Sequence, residues 1–474
     1  MKKIVVVGSG FGGLSIASKL KAKKFDVTLI EKHKDLGGRA RTFVHNDFKY
    51  DAGPTVITAP YLIDELFSVH SEKLSDYVNL LPVKPWYRFL FDSGEYIDYG
   101  DKLISTVHEI KAKYGNDKAK AYLKLLKHSK QIFKKGFIEL SDEPFESIFS
   151  MLKHLPALIK IRFDRSVYQT VNKYLNNKNL NEALSMHPLL VGGNPYSTTS
   201  IYLLIQYLEW KWGVYYAEGG TGRIIDGLEK LLIKKDVNIK KNTEAKKIIL
   251  KNNKVVGIDT SQGIIDCDIV VCNSDPTYTY NNLLGFKPKK ASNRFNLKHS
   301  MSLFVLYFST TKIYKDVKHH TIIFSKRHYE LLNDIFNKKV FVSDPSLYLH
   351  RPGATDPSMI QNGNDTFYVL APVPNNLSKI DWNDKGNKLA NIIIKNLQEK
   401  IMPELTKNIS DMFFVTPDYF ENELSTYAGS GFGIQPIFTQ SAYFRYGNKA
   451  KEAEGLYFVG ASTHPGAGVP GVIS

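Results

Sequence analysis

An α/β fold built on a buried parallel sheet is what this sequence predicts, and three adjoining stretches carry the prediction. Ile4–Val7 is a short, continuous run of β-branched residues, the pattern of a strand buried on both faces. Gly8-Ser9-Gly10-Phe11-Gly12-Gly13 follows at once and opens the helix-compatible stretch Leu14–Lys24, with Leu14, Ala17 and Leu20 on one face. Val27–Ile30 then reads as a second strand ending on Glu31. Strand, glycine turn, helix, strand and terminal acid together make a Rossmann-like dinucleotide-binding unit, which a glycine motif alone would not.

Each position in that unit has a physical task. Gly8 permits the tight turn, Gly10 lets the backbone approach a pyrophosphate, and Gly13 lets the helix pack closely on the strand. The helix N-terminus offers free N–H groups and the positive end of its dipole to phosphates. Glu31 stands where it can accept hydrogen bonds from ribose hydroxyls. The next stretch, Gly37-Gly38-Arg39-Ala40-Arg41-Thr42, resembles the extended FAD fingerprint of glutathione-reductase-type flavoproteins. That resemblance implies FAD rather than NAD, with Arg39 near the cofactor's phosphates. The glycine such proteins often carry before the second strand is replaced here by Phe25 or Asp26.

A chain of 474 residues is too long for one ordinary core, so two or three domains are expected. With 43% hydrophobic and 23% charged residues it has a soluble, globular composition. No apolar run is long enough to predict a membrane-spanning helix, and Lys2-Lys3 precedes too short an apolar segment for a signal peptide. Cys267 and Cys272 fall on opposite faces of one expected strand and should not pair, which fits a reducing cytoplasm. The formal net charge of +16 calls for a partner, but no nucleic-acid motif accompanies the scattered lysines. Two readings stand: attraction to an anionic membrane surface, or a lysine-rich solvated exterior.

Phe48–Val56 reads as a strand ending at the Gly53-Pro54 turn, and Tyr61–Phe67 as the start of a helix. Tyr87–Asp92 and Glu95–Tyr99 flank Ser93-Gly94 as a hairpin, and a long helical region runs from about Leu103 to Leu184. Within it, Met151–Phe163 is both basic and apolar; it suits a helix lying in a bilayer interface, or a core helix with Pro156 as its kink or start. Ser197–Trp210 reads as a helix, Trp212–Tyr216 as an aromatic strand, and Ile224–Lys234 as a helix that Thr221 caps. Ala245–Asn273 holds three strands separated by turns. Leu303–Phe308, Thr321–Phe324, Thr366–Leu370 and Lys388–Ile401 alternate strands with a helix. Leu456–Ala461 is a buried strand that leads into the glycine-rich Ser462–Gly471.

Taken with Asp51–Thr55, His187–Ser200, Gly219–Gly222, Asp344–Pro352, Thr355–Met359, Ala371–Pro374 and Gly460–Gly471, the chain resembles the phytoene desaturases of bacteria and fungi, members of the carotenoid and retinoid oxidoreductase family. Several expectations follow from the resemblance. The fold is α/β, with a discontinuous Rossmann-like FAD-binding domain over 1–70, 216–285 and 440–474. A largely helical, membrane-contacting region spans 71–215, and a mixed-sheet substrate domain spans 286–439. FAD binding is expected at Gly8, Gly10, Gly13, Glu31, Gly37, Gly38, Arg39, Gly53, Thr55, Gly460, Gly468 and Val469. The chain is expected to attach peripherally to the membrane from the cytoplasm and to act on an apolar C40 polyene. Its end at Ser474 resembles a truncation inside the cofactor site, with Gly468–Ser474 too short to hold a helix turn.

Desaturation removes a hydride and a proton from adjacent carbons. No side chain accepts a hydride, so the resemblance assigns that role to the flavin N5. The protein is left with positioning and exclusion of water, which explains the lack of a nucleophile triad or paired-carboxylate motif. His464 is the candidate proton acceptor or flavin-orienting group, against a plain backbone-satisfied histidine; Arg351 is the candidate for stabilising reduced flavin, against a surface role. No metal site is expected, since His319 and His320 are adjacent and His350 is isolated from them in sequence. The alternatives are a carotenoid isomerase, a C30 carotenoid desaturase, a flavin amine oxidase and, outside enzymes, a prenyl-protein carrier of the same fold.

Overall fold

The computed structural model describes residues 1–139, 156, 159, 161–285 and 297–474. Five short strands make one parallel sheet in the order Leu456–Phe458, Ile269–Cys272, Lys3–Val7, Asp26–Ile30, Asn238–Lys240. The first strand is central, with Val6 beside Leu29 on one edge and Val271 on the other. That placement explains its unbroken apolar pattern, since both its faces and both its edges are covered. The helix Phe11–Ala22 begins three residues before the expected Leu14, and its Leu14 and Ala17 are fully buried against the sheet. Burial of a side chain the size of Leu14 is worth about 1.5–3 kcal/mol.

A second, seven-stranded mixed sheet runs Ile409–Val415, Ser302–Thr310, Asp365–Val373, Leu347–His350, His320–Ile323, Tyr87–Leu90, Tyr96–Tyr99. Only the contact between His320–Ile323 and Tyr87–Leu90 is parallel. The Tyr87–Tyr99 hairpin therefore joins this sheet, so the sheet crosses the boundary expected between 71–215 and 286–439. One face packs Phe304, Phe308 and Phe367 against Leu389, Ile393 and Leu397 of the helix Trp382–Lys400. A three-stranded antiparallel sheet, Ala245–Lys251, Lys254–Thr260 and Gly263–Asp266, stands apart.

The helices Leu103–Tyr114, Asn116–Phe133, Val167–Leu175, Lys178–Ser185 and Leu204–Trp212 form the expected helical region. Tyr122, Val171, Leu175 and Leu180 are among its buried contacts, and Ser166 with Gln169 closes a capping box at one start. Of Met151–Phe163, residues 151–155, 157, 158 and 160 lie outside the described residues, so the interfacial reading of that segment is not addressed by them. Among the described residues no helix is long and apolar enough to cross a membrane.

Local readings are corrected at four places. The strand expected over Phe48–Val56 is confined to Phe48–Asp51, because Ala52–Val56 turns beneath the second sheet. Trp212 ends a helix, with Gly213 at φ 84° after it, and the strand begins only at Tyr215. Thr221 does not cap: its hydroxyl donates to the Pro54 carbonyl at 3.0 Å while its N–H donates to Asp51. Val469–Ile473 does form a short helix, because Val469 and Ile473 bury against the first core and Lys19 Nζ donates to the Ile473 carbonyl at 2.8 Å.

Candidate functional site

The glycine turn is built around Asn273, at the end of a neighbouring strand. A methyl group on Gly10 would lie 2.8 Å from the Asn273 side-chain nitrogen, and one on Gly12 or Gly460 within 2.9 Å of its side-chain oxygen. Gly13 is more constrained, since its methyl would meet the Gly8 carbonyl oxygen at 2.0 Å. Gly13 thus serves helix–strand packing, while Gly10 clears the space in front of the helix N-terminus. The Glu31 carboxylate is buried behind the turn, where Oε2 accepts from the Ser9 N–H and hydroxyl and Oε1 from the His33 N–H.

A cavity of about 510 Å³ opens from this turn. Of the residues singled out in the sequence, Gly10, Gly37, Arg39, Gly53, Thr55, Gly460, His464, Gly468 and Val469 line it. Gly8, Gly13, Glu31 and Gly38 sit behind the lining, although a methyl on Gly38 would lie 3.5 Å from the Gly10 α-carbon. Gly53 packs as tightly as Gly13, with any Cβ falling 2.2 Å from the Arg39 carbonyl oxygen.

Arg39 is the electrostatic centre of the cavity. Its guanidinium is buried, its Nε has no hydrogen-bond partner among the described residues, and desolvation pulls its pKa below the ordinary value against the pull of Asp275. A buried, incompletely paired cation is costly and calls for an anion. The helix N-terminus, the cleared glycine backbone and Arg39 all face the same space, so they fit a pyrophosphate, and Gly460 and Gly468 leave room for a flat group beyond it. The residues present fit FAD.

Two of the expectations need revision. Arg351 does not reach the cavity and is not on the surface: it is buried, with Nε donating to Asp365 at 2.6 Å and Nη1 to the Val317 carbonyl at 3.0 Å. The strand pairing that ends in His350 turns the next side chain toward Asp365, so stabilising a reduced flavin is not its task. His350 is not isolated either, because antiparallel pairing sets it directly opposite His320. With His319 they form a buried imidazole cluster.

Apart from Thr55, the other wall residues carry no sequence signal. Thr55 Oγ1 joins the hydroxyls of Tyr348 (3.0 Å) and Tyr368 (2.7 Å), and all three line the cavity. Glu209 also lines it, tied to the Tyr87 hydroxyl at 2.8 Å and His187 Nε2 at 3.0 Å. Arg445, buried and held by the carbonyls of Ala461 and Thr463, supports the strand-to-helix turn that carries His464. The remaining wall is apolar, with Tyr202, Leu208, Ile322, Phe324, Leu370 and Phe432 prominent. Such a cavity combines one anion-binding end with a long water-excluding body.

The chain matches the family described as flavin containing amine oxidoreductase over residues 11–474. It is 41% identical to the lycopene-forming phytoene desaturase of Pseudescherichia vulneris, across 100% of this chain and 97% of that protein. It is 36% identical to the neurosporene-forming phytoene desaturase of Rhodobacter capsulatus, across 100% of this chain and 92% of the relative. Among solved structures, an oxidoreductase from Methanosarcina mazei shares the fold with a TM-score of 0.67 at 16% identity, covering 99% of this chain and 98% of the other.

Proposed function

Since this chain belongs to the flavin containing amine oxidoreductase family and, within it, to the phytoene desaturases, we propose that it desaturates phytoene toward lycopene or a partly desaturated intermediate. It is an FAD-dependent oxidoreductase of carotenoid biosynthesis. The observation that carries the reading is the chemistry of one cavity, with the glycine turn and Arg39 on one part of its wall and a largely apolar lining elsewhere.

Bound FAD supplies the hydride acceptor. The chain supplies everything else. Gly10 and the helix N-terminus receive the pyrophosphate, Arg39 neutralises it, and Glu31 accepts from ribose hydroxyls on the oxygen lone pairs that Ser9 and His33 leave over. The largely apolar wall would exclude water and position the polyene for reaction, which is the main catalytic contribution this lining offers. His464, at the cavity wall, is the residue we assign to take up or relay the proton.

The same reading groups 1–70, 216–285 and 440–474 as the cofactor-binding part and the helices of 71–215 as the membrane-facing part. A C40 hydrocarbon has negligible solubility in water, so the enzyme collects it from the bilayer; the net charge of +16 favours peripheral attachment to an anionic cytoplasmic leaflet. Expression in a phytoene-accumulating host, with pigment analysis by chromatography, tests the assignment. Loss of phytoene and gain of longer-chromophore carotenes is expected; unchanged phytoene alongside soluble, FAD-loaded protein rejects it.

A further inference from the structure

We propose that His319, His320 and His350 form a second, separate ligand site in this protein, one that takes a divalent transition cation of the zinc class. The three side chains come together through the fold. His320 and His350 face each other in antiparallel register, and the Arg351 N–H donates to the His319 carbonyl at 2.9 Å, fixing His319 alongside. All three are buried, and one ring nitrogen of each lies within 4.8 Å of one from each of the others.

One nitrogen of every ring is already committed. His319 Nδ1 pairs with Thr355 Oγ1 at 2.7 Å, His320 Nδ1 with the Tyr348 hydroxyl at 2.7 Å, and His350 Nε2 with Asp51 Oδ2 at 3.4 Å. What remains is His319 Nε2, His320 Nε2 and His350 Nδ1, each buried and without a partner among the described residues. Unpartnered buried nitrogens are costly singly, and three in one place ask for a shared partner. An imidazole held through one nitrogen by a hydroxyl or carboxylate, with the other bare, is the arrangement of a metal-ligating histidine.

Charge balance points the same way. Among the described residues Asp51 accepts from uncharged donors, the Tyr216 hydroxyl, the Thr221 N–H and His350; buried Asp356 accepts from the Gly219 N–H and from Ser358. Asp365 is paired with Arg351. A dication beside the rings offsets the two carboxylates left without a counter-charge. Three imidazoles and no thiolate select the zinc, copper and nickel group over magnesium or calcium. Tetrahedral zinc at its usual bond length sets ligand nitrogens about 3.3 Å apart, so loading draws the rings inward by at most about 1.5 Å and leaves a fourth position for water. The bound ion would anchor His320, which holds the Tyr348 hydroxyl at the cavity wall.

The full-length, FAD-loaded protein is dialysed against a slight excess of Zn²⁺, then against buffer, and its zinc and flavin are counted by elemental analysis and absorbance. About one zinc per chain is expected, with X-ray absorption showing three nitrogen ligands at about 2.0 Å. His319→Gln and His350→Gln should each weaken zinc binding by about tenfold or more. Zinc far below stoichiometry means the rings share only a buried water and overturns the site. Full retention of zinc by both folded variants places the ion on surface histidines and equally overturns it. If both variants fail to fold, the absorption spectrum of the parent decides alone, and ligation by sulfur, or by oxygen beyond a single water, refutes the proposal. Flavin content is read in every sample, so failure of this site is distinguishable from failure of the FAD assignment.

Discussion

The Glu31 carboxylate is locked onto Ser9: one oxygen, Oε2, accepts both the Ser9 backbone N–H at 2.9 Å and its hydroxyl at 2.6 Å. The acid that ends the second strand therefore braces the turn that follows the first, before any ribose is bound. Glu31→Gln keeps an acceptor for Ser9 and removes the charge. We expect it to weaken FAD binding by about 1–2 kcal/mol, roughly five- to thirtyfold in Kd, with the circular dichroism spectrum intact. Fluorescence titration of the flavin-free protein with FAD reads this, and an unchanged Kd would count against a ribose contact.

Gly13→Ala tests the close packing of helix on strand. The added methyl meets the Gly8 carbonyl oxygen at 2.0 Å, and backbone cannot swing aside as a side chain can. Destabilisation of about 1–3 kcal/mol or more is expected from urea midpoints, together with loss of flavin. Gly447→Ala is the control: its Cβ has nothing nearer than 3.9 Å, and a change within about 0.5 kcal/mol is expected.

Arg39→Ala removes the buried cation that faces the cavity. Without FAD the variant should be no less stable than the parent, because an incompletely paired buried charge has gone. With FAD it should bind about ten- to a hundredfold more weakly, the loss of one or two charge-assisted hydrogen bonds. Opposite effects in the two states are the signature. A variant that loses stability alone, with flavin affinity unchanged, would make Arg39 a packing residue.

Glu182 gives a pH dependence with a definite sign. Burial pushes its carboxyl up to about 7 from an ordinary 4.5, with Lys178 opposing and Glu330 adding. Between those values the folded form keeps a proton that the unfolded chain has released, so its stabilising contribution is full below pH 4.5 and is lost as pH rises to 7. Relative to the parent, Glu182→Gln should therefore gain about 1–3 kcal/mol between pH 5 and pH 8 by urea denaturation. A difference that does not move with pH would show that the carboxyl is ionised throughout.

What the sequence made legible was local. Ile4–Glu31 encodes its strand, turn and helix within twenty-eight consecutive positions, and hydrophobic period and glycine placement suffice to read it. The Tyr87–Tyr99 hairpin was equally readable, but not that it completes a sheet begun at Ser302, since that pairing spans most of the chain. Asn273 fills the space among Gly10, Gly12 and Gly460, yet asparagine after a strand carries no distinctive pattern. Arg351 and His350 are consecutive in the sequence, yet alternation along the chain sends them to different partners, Asp365 and Asp51. Gly468–Ser474, expected to be too short for a helix turn, holds the helix Val469–Ile473 because burial against the first core stabilises it where length does not.

The most direct test of the central claim gives purified, FAD-loaded protein phytoene dissolved in liposomes and follows the carotenes by chromatography with absorbance detection. The account predicts FAD-dependent loss of phytoene with appearance of carotenes whose conjugated chains are longer, and no turnover by the flavin-free chain. Phytoene that stays intact while the same preparation oxidises a primary amine would contradict it.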